Sequence, residues 1–343
     1  MKNIILTVSC FLILGTFSSC NGQPKKQATM SEQINFSWSA CLTAPFDFPV
    51  ELQKGYFATH TDFITGLVNN GVEGSGWQAE GTTSGMGGHG VPSRLSLTWV
   101  SYAEKKFWTI DTVIDSAGML ALFQKGFDYT DRLHATKHIT YDKIIVGLAP
   151  GGVVVVWVAG NFHRAEVGRY QAKEARVAVN DFVPVVGAYK DDQEFFDQSF
   201  KDALEPESQA LVKKNGIPYG LWDEYRKKYN YRFAFQFYKE DQDSGGEITY
   251  LNGEGTIRLA KDVNTYVLNA PPLKANFYFN QKWAEAFFED AEIRNAFEQI
   301  TQDNKQQPVE VIGKVDFIYK DIAFKLKSGN KEIPLPKTRV KLY

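Results

Sequence analysis

The chain is poor in the groups that carry most enzyme chemistry. It has three cysteines, at 10, 20 and 41, and five histidines in 343 residues. No Gly-x-Ser-x-Gly run is present, which removes the commonest serine-esterase elbow. No Gly-Lys-Ser or Gly-Lys-Thr follows its glycine-rich stretch, which removes the nucleotide phosphate loop. Charge of one sign is missing too. Lys and Arg number 38, Asp and Glu 40, for a formal net charge of −2. Such a balance creates no field that favours nucleic acid as a partner. After residue 17 no apolar run approaches the ~20 residues that a spanning helix needs.

What is present begins at the first residues. Lys2 supplies a positive start, and Ile4 to Phe17 is apolar but too short to span a bilayer comfortably. Ser18 and Ser19 then place small residues directly before Cys20. This pattern reads as a bacterial lipoprotein signal, cut before Cys20, with a diacylglycerol on its thiol. Phe17 is a departure, because leucine is commoner there, and the bland alternative is an ordinary secretory peptide. Acyl chains contribute ~0.8 kcal/mol per buried methylene, so two or three hold a protein firmly on a membrane. The predicted organisation is a signal peptide over 1–19 and a flexible tether over 20–33. The tether is basic at Lys25 and Lys26 and lacks an acidic stretch after the cysteine. That favours the cell envelope, at the outer membrane and facing the periplasm. Cys41 is then the one thiol left in the body, so no intrachain disulfide is expected.

The body is rich in aromatics, with 25 Phe, 16 Tyr and 7 Trp. These residues favour strands and fill cores. The pattern predicts a mainly β fold with helical insertions (α+β), built from antiparallel sandwich-like units. A β-rich unit is expected over 34–189, a helical segment over 190–230, and a second β-rich unit over 231–343. Period-two alternation marks strands at 34–40, 50–57, 95–100 and 106–110. The clearest hairpin is 141–159, where two apolar runs flank Ala149-Pro150-Gly151-Gly152. Its unbroken valines predict burial on both faces. A short helix is expected over 116–125, ended by Gly126. Phe233, Phe235 and Phe237 read as one face of a strand, with 247–259 as its partner. Residues 281–300 read as the best helix, and 309–319, 321–327 and 338–343 as strands.

Candidate chemistry is sparse. Eight glycines fall between Gly71 and Gly90. A phosphate loop needs a helix after it, and a strand follows here. A long loop is the plain reading, and Trp77 and His89 are its candidate ligand-binding residues. His134 and His138 have i, i+4 spacing, but Ala135 stands where a zinc protease needs Glu, so a solvated segment is the plainer reading. Asp241 to Glu247 starts like a calcium loop, yet its twelfth position is Asn252, and a hairpin turn is favoured. Cys41 reads as a half-buried strand residue. Glu80, Asp128, Asp131 and Glu166 are carboxylates with no evident pairing. Arg164, Glu166 and Arg169 read as ion pairs on an edge strand. No catalytic residue, metal site or cofactor is predicted.

Three segments together carry a family resemblance: PFDFPVELQKGYF (45–57), PSRLSLTWVSYAEKKF (92–107) and YDKIIVGLAPGGVVVVWVAG (141–160). With the lipoprotein start, they resemble bacterial envelope lipoproteins of domain-of-unknown-function family 2931, over about residues 35–190. The resemblance implies a lipoprotein-like envelope protein and assigns no catalytic residue. Some similar small lipoproteins serve as immunity partners against secreted phospholipase toxins. The expected function is therefore a lipid-anchored, non-enzymatic envelope protein that binds a protein partner. The alternative is a glycan-binding or glycan-cleaving protein using Trp77, Trp108 or Trp157 as stacking platforms.

Overall fold

The computed structural model describes residues 36–84, 87–130, 136–183, 185, 187–238, 240–279 and 282–343. The signal peptide, Cys20, the tether, Asp131 and His134 lie outside the described residues. Strand is the commonest structure in the rest, at 46% against 18% helix, in several antiparallel sheets, as the alternation predicts.

The largest sheet has 11 strands. Across it run Arg339–Leu342, Lys282–Phe287, Pro272–Phe279, Gly245–Tyr250, Gly255–Leu259, His163–Gln171, Val153–Gly160, Lys143–Ala149, Ser37–Thr43 and Thr82–Thr83. The last strand, Gly88–His89, also pairs with Ser37–Thr43. A second sheet runs Lys173–Ala175, Lys106–Val113, Arg94–Ser101, Val50–Ala58 and Phe63–Leu67, with Val72–Glu73 off its path. A third runs Val267–Asn269, Tyr229–Gln236, Val309–Val315, Ile322–Ser328 and Lys331–Pro334.

The large sheet is the middle layer of a sandwich. Alternate residues of its central strands enter different cores, because successive side chains point to opposite faces. Ile144, Val146, Leu148, Val154, Val156 and Val158 pack with Leu52, Leu97 and Trp99 of the second sheet. Ile145, Val153, Val155 and Trp157 join the other core, with Phe195, Trp222, Phe277 and Val311. Every residue of Val153–Gly160 is therefore buried. Helix Ser116–Lys125 closes the first core with Met119 and Phe123. Asp115 caps its start by accepting from Gly118 N, and Gly126 ends it.

Several expectations are corrected. The units expected at 34–189 and 231–343 are not separate bodies: the described residues fall in one compact unit, and strands of both build the large sheet. The ladder crosses between them at one register pair, Arg164 with Gly255. Residues 282–287 are a strand, not the first half of a helix. Ala284 and Ala286 alternate inward, and the strand pairs on both sides. Only Asp290–Ile300 is helical, capped by the Glu289 side chain. Tyr229–Gln236 does not pair with 247–259, which forms its own hairpin in the large sheet. Its neighbours are Val309–Val315, in parallel, and Val267–Asn269. The stretch after Phe237 is thus a crossing between sheets, not a hairpin turn. The helical segment does lie where expected, as Asp192–Ala203, Pro206–Asn215 and Leu221–Glu224.

Candidate functional site

The glycine-rich stretch is stitched to sheet edges rather than left as one long loop. Val72–Glu73 pairs with Val50–Glu51, Thr82–Thr83 with Cys41–Leu42, and Gly88–His89 with Ser37–Trp38. Gly81 makes the crossing at φ +73°. A Cβ there would overlap the Leu42 carbonyl oxygen, so only glycine fits. Glu73, buried at 3% exposure, accepts from Ser75 N at 2.9 Å and from the Thr82 hydroxyl.

Trp77 and His89 are not brought together. Trp77 turns into the core, its ring centroid 4.9 Å from Trp157 and 6.2 Å from Trp222. His89 stays exposed on the rim of a cleft of about 290 Å³, with Ser37, Trp38, Ser39, Gly87, Gly88, Asp142 and Lys143. The other two tryptophans considered as platforms differ. Trp157 is fully buried. Trp108 is half-buried, and its indole N–H donates to Glu104 at 3.1 Å.

What the fold does gather lies on one face of the large sheet, beneath residues 77–80. Register places Ser39, Lys143, Ala159, Arg164 and Gly255 in one row across five strands. Cys41, Ile145, Trp157 and Glu166 form the next row. Paired residues share a face, so Lys143 and Arg164 stand on either side of the small Ala159, about 10 Å apart at their backbones. Arg164 is 7% exposed, with its guanidinium carbon 3.9 Å above the Trp157 ring. Its Nη1 donates to the Ala79 carbonyl at 2.9 Å. Among the described residues its Nε and Nη2 are buried without a hydrogen-bond partner, as is the Nε1 of Trp77 and of Trp157. Burial pulls the guanidinium down to about 9. Lys143 Nζ reaches the Glu80 carboxylate at 3.2 Å and Asp142 at 3.6 Å. Cys41, 1% exposed, lies below with Sγ 3.9 Å from the Thr83 hydroxyl. Burial pushes its thiol pKa up, so it is held protonated rather than activated.

The remaining candidates are committed to the scaffold. Glu166 receives a forked Arg226 at 2.6 and 3.0 Å, and Arg169 pairs with Asp223 at 2.9 Å. These pairs fasten the helical segment to an interior strand, rather than lacing an edge strand as expected. Asp128 holds His138 at 3.0 Å and Lys261 at 2.9 Å. In the calcium-like stretch Asp243 pairs with Arg258 at 2.7 Å, Asp241 accepts from the Tyr319 hydroxyl, and Glu247 accepts from Asn276. Among the described residues no group of three or more His, Cys, Asp and Glu is placed to hold a metal ion. Arg164 is the residue that sequence reasoning misjudged. The one available signal was phase: a charged residue following an all-buried strand by a tight turn must place one face against that core.

A family model described as protein of unknown function (DUF2931) matches residues 23–220. No curated protein and no solved structure matches the chain.

Proposed function

The chain belongs to the DUF2931 family, and we propose that it is a lipid-anchored envelope protein whose body binds a protein partner. The anchor is Cys20, supported by the charge, apolar run and small residues before it, and the body faces the periplasm from the outer membrane. Membership assigns no activity, so the site has to carry the reading. One observation carries it: the edge strand Phe63–Leu67 of the second sheet. Among the described residues no strand pairs on its outer side. Its sequence, FITGL, holds no charge and no proline, the usual devices that blunt an edge. Phe63 is 67% exposed, and Val68 and Val72 beside it are 53% and 50% exposed. Such an edge suits an extended segment of another protein, with backbone hydrogen bonds giving affinity and Phe63 giving specificity. Burial of Trp77 and Trp157 favours this over a glycan, because stacking needs an exposed ring face.

The test is crosslinking of the acylated chain in its envelope. We expect one protein crosslinked at residues 63–72, and about tenfold weaker capture by a Phe63→Lys, Val68→Lys double variant. Unchanged capture by that variant, or retention of glycan alone, would remove the edge as the binding surface. Cys20→Ala should release the chain from membranes, and continued sedimentation with them would defeat the anchor.

A further inference from the structure

We propose that the face beneath residues 77–80 is an oxyanion seat, where a phosphate or carboxylate group replaces the Glu80 side chain and binds Lys143 and Arg164 together. The seat is distinct from the edge strand and stands independently of the protein-binding reading. Its cations sit in one register row, two strands apart, with Ala159 as a small floor between them. The upper wall is Ala79 and Glu80; the Ala79 carbonyl takes one guanidinium N–H, while Nε and Nη2 stay unpaired among the described residues. An arginine 7% exposed, with no carboxylate in ion-pair contact among the described residues, is costly to bury. An apolar residue of similar length would pack on Trp157 without that cost. The arrangement makes physical sense when an anion from outside completes it.

Glu80 is a stand-in acid for that ligand. Its side chain is 55% exposed, and its bond to Lys143 is long at 3.2 Å. Its charge acts on Arg164, but the two make no ion pair. Asp142, 62% exposed, flanks Lys143 from outside and opposes an anion only through solvent. The approach is the cleft of about 290 Å³ with Lys143, Ser37, Ser39 and His89 on its walls; displacing Glu80 extends it toward Arg164. A ligand with its acid on Lys143 and Arg164 would place the rest of itself there.

The test is calorimetric titration of the full chain in detergent with inorganic phosphate and, separately, succinate, at pH 7.5 and constant ionic strength. Glu80→Gln should tighten binding of at least one anion by about tenfold, because it removes the competing carboxylate. Arg164→Gln should weaken binding by about tenfold and leave the melting temperature equal or higher. Lys143→Met, nearer the surface, reads the second cation if Arg164→Gln misfolds, and should weaken binding similarly. Tightening for phosphate alone assigns a phosphate ligand, and for succinate alone a carboxylate. Glu80→Gln binding neither anion more tightly than the natural chain would overturn the proposal. So would binding that survives loss of Arg164 or, where Arg164→Gln misfolds, of Lys143.

Discussion

The two ends of the large sheet reach burial by different chemistry. Toward one end, Lys143–Ala149 and Val153–Gly160 have a core on each face, so almost every residue is aliphatic and buried. Toward the other end, Pro272–Phe279 and Lys282–Phe287 have one buried face and alternate. Their core is aromatic. Phe277 lies 5.0 Å from Phe233 and 4.7 Å from Phe235, and Phe288 lies 5.2 Å from Phe324. Between the ends the ladder narrows to Arg164 and Gly255, and side chains take over. Arg226–Glu166, Arg169–Asp223 and Lys228–Glu254 close the seam, with Glu166 and Glu254 mostly buried. A sheet can therefore be continuous in packing where it is thin in backbone pairing, because Ile145, Trp157, Phe277 and Val311 share one core.

The contrast can be broken from either end. Val154→Asp puts a lone charge into the core shared with the second sheet and should cost more than about 4 kcal/mol, abolishing cooperative unfolding in urea. Phe277→Ala leaves an aromatic-sized cavity and should cost about 3–4 kcal/mol, read as a lower urea midpoint with one transition retained. If Phe277→Ala loosened only residues 229–343 and left the valine strands fully protected, the shared core would be wrong.

Much of the aliphatic half was legible in the sequence. The 143–160 hairpin closes over three residues, and helix 116–125 carries its own cap and stop, so both are set by neighbours in sequence. The aromatic half was not. Tyr231 pairs with Val309, far along the chain and in parallel, and no local pattern announces that. In 282–300 the apolar residues fit a helical stripe as well as a strand followed by a helix, and pairing with 272–279 and 339–342 decided it. The candidate site failed for a related reason. Trp77 and His89 share a glycine-rich stretch, but its short pairings turn one inward and leave the other outside. Arg164 and Lys143 fall in one row only once the register is known.

Smaller effects sharpen the seam. Arg226→Ala would leave Glu166, 11% exposed, without its forked partner, and should cost about 2 kcal/mol in urea unfolding. That loss should be rescued in part by Glu166→Gln, whereas an unchanged midpoint would show that packing alone holds the helical segment. His163, stacked on Phe127 at 4.0 Å, adds a pH signature next to the seam. Burial pulls its pKa to about 4 from an ordinary 6.5. The unfolded chain takes the proton first, so this part of the stability is whole above pH 6.5 and is lost as pH falls toward 4. The loss should be about 2 kcal/mol, discounted for partial exposure, and His163→Gln should remove it from the pH profile.

The most direct test of the shared core is hydrogen exchange through urea unfolding of the whole chain, read by mass spectrometry. Peptides covering 143–160 report the aliphatic half, and peptides covering 309–328 report the aromatic half. One core across the seam predicts coincident midpoints for both. Two midpoints clearly apart in urea would show two bodies that merely touch at Arg164 and Gly255, and would contradict the account.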